Sequence, residues 1–63
     1  MMGMAYMYYI VRVHDIGEIL EYEFQDLARA ERLMAVEMLE CSLWQVNRRT
    51  GTRLRLDEHK AVC

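Results

Sequence analysis

A chain of 63 residues, 54% of them hydrophobic, carries more apolar surface than one small domain easily hides. A domain of this size buries only about 60% of the surface its unfolded form exposes, so its stability margin is thin. Small domains compensate with disulfides, a structural metal or oligomerisation. The two cysteines, Cys41 and Cys63, form no CxxC pair, and His14 and His59 lie far apart with no ligand spacing around them. No zinc or other metal site is therefore expected, and no cofactor. A Cys41–Cys63 bridge would need an oxidising compartment, which nothing in the sequence indicates, so both thiols are expected to be free. Oligomerisation remains, and a homodimer is the expectation.

The apolar start of the chain, through Val11, has no basic region ahead of it and no small-residue cleavage site behind it. It is also shorter than the 20 or so residues a membrane helix needs. Neither a signal peptide nor a membrane anchor is expected, and the cytoplasm is the expected location.

Tyr6–Val13 is rich in aromatic and β-branched residues and reads as a strand. His14-Asp15-Ile16-Gly17 supplies a turn, and Ile19–Phe24 alternates apolar and acidic residues as the second strand of a hairpin. Leu20, Tyr22 and Phe24 fall on one face of it, Glu21 and Glu23 on the other. The first strand is apolar on both faces, which leaves its register open: Met7, Tyr9, Val11 and Val13 share one face, Tyr6, Tyr8 and Ile10 the other.

Asp26 is a suitable N-cap, and the run Leu27–Glu40 has strong helix formers with no glycine or proline. Leu27, Ala30, Met34, Met38 and Cys41 recur at helical spacing and form the expected core stripe, while Ala28, Ala35, Val36 and Leu39 form a second apolar sector. Ser42–Asn47 reads as a third strand and Arg53–Leu56 as a fourth. A three-residue loop at 49–51, with Gly51 left-handed, would set Val46 opposite Leu54 and Trp44 opposite Leu56. Residues 57–63 lack a clear period, and they and the methionine-rich residues 1–5 are expected to fray. The resulting architecture is a single α+β domain over residues 1–63, ββαββ, with one helix packed on one face of a four-stranded antiparallel sheet.

Chemistry finds little footing. Ser42 is the only serine, the histidines fall in a turn and in the tail, and Cys41 is expected near the negative end of the helix, where a thiolate is disfavoured. Gly3, Gly17 and Gly51 are isolated, so there is no phosphate-binding loop. The Glu21 and Glu23 pair has no evident cleft. No enzyme is expected.

Charge is unevenly spread along the chain. Asp15, Glu18, Glu21, Glu23 and Asp26 crowd the first half, against Arg48, Arg49, Arg53 and Arg55 in the second. The two sets are expected to pair across neighbouring strands. As surfaces, Asp15, Glu18, Glu21 and Glu23 form an acidic face suited to a basic site on a partner protein. The alternative is a two-stranded basic ribbon of Arg48, Arg49, Arg53 and Arg55 for nucleic acid, against which the net charge of −2 argues. The expectation is thus a small protein-interaction module that regulates or inhibits a partner, in the manner of many phage and mobile-element accessory proteins. Tyr6, Tyr8, Ile10, Val36 and Leu39 form the expected dimer interface.

Overall fold

A computed structural model of the chain describes residues 6–60. Four strands and one helix follow in the order β1 (Met7–Asp15), β2 (Glu18–Phe24), α1 (Leu27–Val36), β3 (Glu40–Asn47) and β4 (Arg53–His59). The strands form one antiparallel sheet in the spatial order β2-β1-β3-β4. The ββαββ architecture is therefore present, and the expected fraying at residues 1–5 and 61–63 lies outside the described residues. The order follows from the side chains: β1 and β3 are apolar on both faces and take the centre, whereas β2 and β4 carry regularly spaced charges and take the edges, where charge discourages stray pairing.

Pairing of Val11 with Tyr22 and with Leu43, and of Val13 with Leu20 and with Cys41, resolves the open register of the first hairpin. Tyr9, Val11 and Val13 face the helix, and Tyr8, Ile10 and Arg12 face away from it. Strand β1 runs on to Asp15, so the turn is only Ile16-Gly17, with Gly17 at φ +72° and Ile16 N donating to Asp15 Oδ1. The core joins Val11, Val13, Ala30, Met34, Cys41 and Leu43, and side chains buried as fully as Val11 and Val13 each contribute about 1.5–3 kcal/mol.

Asp26 caps the helix as expected, its Oδ1 accepting from Ala28 N at 3.0 Å. The helix itself is shorter than expected. It stops at Val36 because Glu37 turns extended (φ −74°, ψ 130°) and its carboxylate accepts from the next two amides, Met38 N and Leu39 N, which continued helix would have used. The chain is thereby released in time for Glu40 to pair with His14 and for β3 to run the length of β1. Ala30 and Met34 keep their core positions, Met38 is exposed outside the helix, and Cys41 is a strand residue. Ala28, Ala35 and Val36 remain exposed, but Leu39 packs on the core from the connecting segment rather than from a second helical sector.

The second hairpin departs from expectation by one residue. Asn47 N donates to Thr52 O, and Gly51 N to Asn47 O, which closes a four-residue loop, 48–51, in place of a three-residue one. Asn47 Oδ1 stabilises that loop by accepting from Arg49 N and Thr50 N, and Gly51 sits at φ +77°. Val46 therefore pairs with Arg53, Gln45 with Leu54 and Trp44 with Arg55. A slip of one residue exchanges the faces of a strand, so Arg53 and Arg55, not Leu54 and Leu56, share a face with Val46 and Trp44. The pairing then shifts between Leu43 and Trp44, leaving Leu56 as the extra residue of a bulge. Beyond it Asp57, Glu58 and His59, expected to fray, belong to β4.

Candidate functional site

The helix packs on β1, β3 and β2 but not on β4. A groove of about 550 Å³ consequently separates α1 from β4, walled by Glu31, Ala35 and Glu37 on one side and Asp57 and Lys60 on the other, with Met34, Leu43 and His59 lining it. His59 bridges this gap. Its Nε2 lies 3.0 Å from Met34 O and 2.9 Å from Cys41 Sγ, and its Nδ1 lies 3.0 Å from Lys60 O. Met34 O is one of the last helical carbonyls; its usual partner, Met38 N, is held by Glu37, and His59 supplies the missing donor from another strand.

Both ring nitrogens of His59 thus face carbonyl oxygens, which only N–H groups satisfy. The Lys60 carbonyl raises the His59 pKa above its ordinary value; burial opposes this, while the Met34 carbonyl, Asp57 and Glu37 reinforce it. Burial also pushes the Cys41 thiol up, with Glu37 and Asp57 adding to the effect. Cys41 donates onward to Met34 Sδ at 3.4 Å. A nucleophile–base pair needs a neutral imidazole with its lone pair on the thiol; this environment favours a protonated ring beside a protonated sulfur.

This cluster escaped the sequence reading, which placed Cys41 on the helix and His59 in a tail. Matching strand lengths would have found it, since Cys41 and His59 are direct cross-strand partners once β4 is as long as β3.

The basic hairpin is occupied by the chain's own side chains. Arg48 stacks over the Tyr8 ring at 4.3 Å and Arg49 over Tyr6 at 4.8 Å. Arg53 Nη1 lies 3.5 Å from Glu21, and Arg55 Nη1 lies 3.1 Å from Glu58 within its own strand. The expected pairing of the acidic and basic halves across neighbouring strands is not met among the described residues: Arg12–Glu21 joins two residues of the first half, and the Arg53–Glu21 contact joins the two opposite edges of the sheet.

On the acidic side, Glu21 and Glu23 share the helix-free face, Asp15 is turned into the hairpin bend, and Glu18 and Glu23 are exposed with no ion-pair partner among the described residues. Of the expected dimer residues, Val36 is 67% exposed and Tyr6 is exposed, but Ile10 is only 4% exposed within the single chain, and Tyr8 is half-buried under Arg48. Strand β1, expected as the joint with a second copy, is a central strand with both edges already paired. No helix among the described residues is long and apolar enough to cross a membrane.

The fold and these surfaces define a small α+β domain with one open sheet edge beside a groove. Comparison with protein-family models, curated proteins and solved structures finds no match.

Proposed function

We propose that this chain is a small non-enzymatic interaction module that acts as a homodimer and regulates or inhibits a partner protein by occupying its surface. The observation that carries the reading is the open edge of β4. The helix leaves this strand uncovered, and Leu54 and Leu56 are 57% and 40% exposed along it. A bulge and alternating charges normally protect an edge from any partner. Here the order of charges, Arg53 and Arg55 followed by Asp57 and Glu58, reads as its own complement when a second copy runs antiparallel.

The antiparallel offset that sets Arg55 of one copy opposite Glu58 of the other keeps both on the helix-free face and creates two reciprocal pairs about a twofold axis, as an isologous interface requires. Strand β2 lacks this property: it holds no basic residue, so pairing it with itself sets no arginine opposite an acid. That edge, with the unpaired Glu18 and Glu23, is left to offer an acidic face to a basic site on the regulated partner.

Sedimentation of the full chain tests the reading. A dimer is expected, dissociated by Arg55→Glu or Glu58→Arg alone and restored in the double exchange. A folded monomer at all concentrations, or a dimer indifferent to both changes, counts against it. Charge reversal at Glu18 and Glu23 should release the partner protein while leaving the dimer intact.

A further inference from the structure

Three soft donors meet beneath the groove between α1 and β4, each from a different element. Cys41 Sγ, on β3, lies 2.9 Å from His59 Nε2, on β4, and 3.4 Å from Met34 Sδ, on α1. Thiolate and thioether sulfur select Cu(I), and imidazole suits it as well. Structural zinc takes four thiolate or imidazole ligands, and calcium takes six or more oxygens. Among the described residues no three histidine, cysteine or carboxylate side chains gather to hold a metal, so the thioether is what completes this set.

We propose that Met34, Cys41 and His59 form a Cu(I)-binding site at the α1–β4 groove. The proposal is independent of dimerisation, since all three donors belong to one chain and His59, the one donor on β4, lies on the helix side of that strand rather than at its free edge. Three features of the surroundings favour this occupant. Met34 and His59 line the groove, which provides access. Glu37 and Asp57, on its walls, supply the negative field that attracts a cation. Cys41 is almost wholly buried, so a bare thiolate there would be costly, whereas a thiolate bound to a monovalent cation is a neutral unit.

On binding, the Sγ–H bond of Cys41 breaks, its proton leaves to solvent and an Sγ–Cu bond forms. His59 Nε2 likewise releases its proton to solvent, gives up its contact with Met34 O and donates the freed lone pair, while Nδ1–H stays on the Lys60 carbonyl. Met34 Sδ donates a lone pair without losing any group. Copper enters and remains as Cu(I), so no electron is transferred.

The test is anaerobic competition between the full chain and a chromophoric Cu(I) chelator, with X-ray absorption on the loaded protein. One Cu(I) per chain is expected, with two sulfur neighbours and one nitrogen. Cys41→Ser should abolish binding. Because that change touches the core, Met34→Leu is the second variant: it keeps the volume and apolar character of the side chain and removes only the thioether. It should weaken binding at least about tenfold, since even outer-shell changes at metal sites cost that much. Cys63→Ser should bind as the unaltered chain does. Failure to take copper from the chelator overturns the proposal. So does binding that survives Met34→Leu and Cys41→Ser, or that is lost in Cys63→Ser, either of which would place the metal on sulfur elsewhere in the chain.

Discussion

Glu21 Oε2, on one edge strand of the sheet, lies 3.5 Å from Arg53 Nη1 on the opposite edge. Strands this far apart in the order are separated by three steps of about 4.8 Å, so the two side chains meet by reaching across the helix-free face over β1 and β3. Glu21 also stands 3.5 Å from Arg12 Nε, a buried nitrogen without a hydrogen bond. On the same face Ile10 and Val46 are only 4% and 3% exposed although no helix covers them. The long and aromatic side chains of this face, Tyr8, Arg12, Trp44 and Arg53 among them, provide cover that a second layer would otherwise give.

Glu21→Gln should therefore destabilise the chain by up to about 1 kcal/mol in urea unfolding, the pairs being partly exposed. A double-mutant cycle with Arg53→Gln should show a coupling of a few tenths of a kcal/mol that shrinks in high salt. Strict additivity of the two changes would mean that the edge-to-edge contact contributes nothing.

The one-residue shift of the second hairpin rests on Asn47 and Gly51. A Cβ at Gly51 would meet no atom within 4 Å, so the cost of Gly51→Ala is purely that of holding φ +77°. It should be about 1–2 kcal/mol. Asn47→Ala, which removes the acceptor of two loop amides, should cost about 1 kcal/mol. Cross-strand NMR contacts between Val46 and Arg53 report the register directly, and contacts between Val46 and Leu54 instead would refute it.

His59 makes stability depend on pH in the metal-free protein. Its pKa is raised in the folded state, chiefly by the Lys60 carbonyl, so the folded chain holds this proton more tightly than the unfolded one. The contribution is fully present below the ordinary histidine value of about 6.5 and is lost as pH rises through the folded value. Asp57 and Glu37 face the same ring and act in the same direction. His59→Asn should therefore cost most at mildly acidic pH and progressively less toward alkaline pH in chelator-treated samples. A stability difference that grows with pH would reverse the assignment of the imidazolium.

Stacking of Arg48 on Tyr8 gives the basic hairpin a folding role. Tyr8→Leu should destabilise the chain by about 0.5–1 kcal/mol beyond the change in buried area. With its arginines engaged and the chain net acidic, the hairpin should fail to retard duplex DNA at physiological salt. Retention that weakens steeply as salt is added, and that vanishes on replacing Arg48, Arg49 and Arg53, would favour a nucleic-acid role instead.

The order of elements, the Asp26 cap, the alternation along β2 and the left-handed Gly51 were legible in the sequence because each depends on residues within a few positions of one another. Propensity extended the helix to Glu40, but pairing with β1 claimed Glu40 and Cys41 for β3, and the Glu37 carboxylate ended the helix locally. The tail read as aperiodic because the bulge at Leu56 resets the alternation, a feature visible only against β3.

What the residues determined by themselves was thus the class of fold and that the first strand is apolar on both faces, since both follow from short-range period and composition. Tertiary structure alone decided the register of β4, the meeting of Met34, Cys41 and His59, and the closing of the helix-free face by Glu21 and Arg53. Each of these joins residues far apart in the chain, and one added loop residue is enough to turn every side chain of a strand to the opposite face.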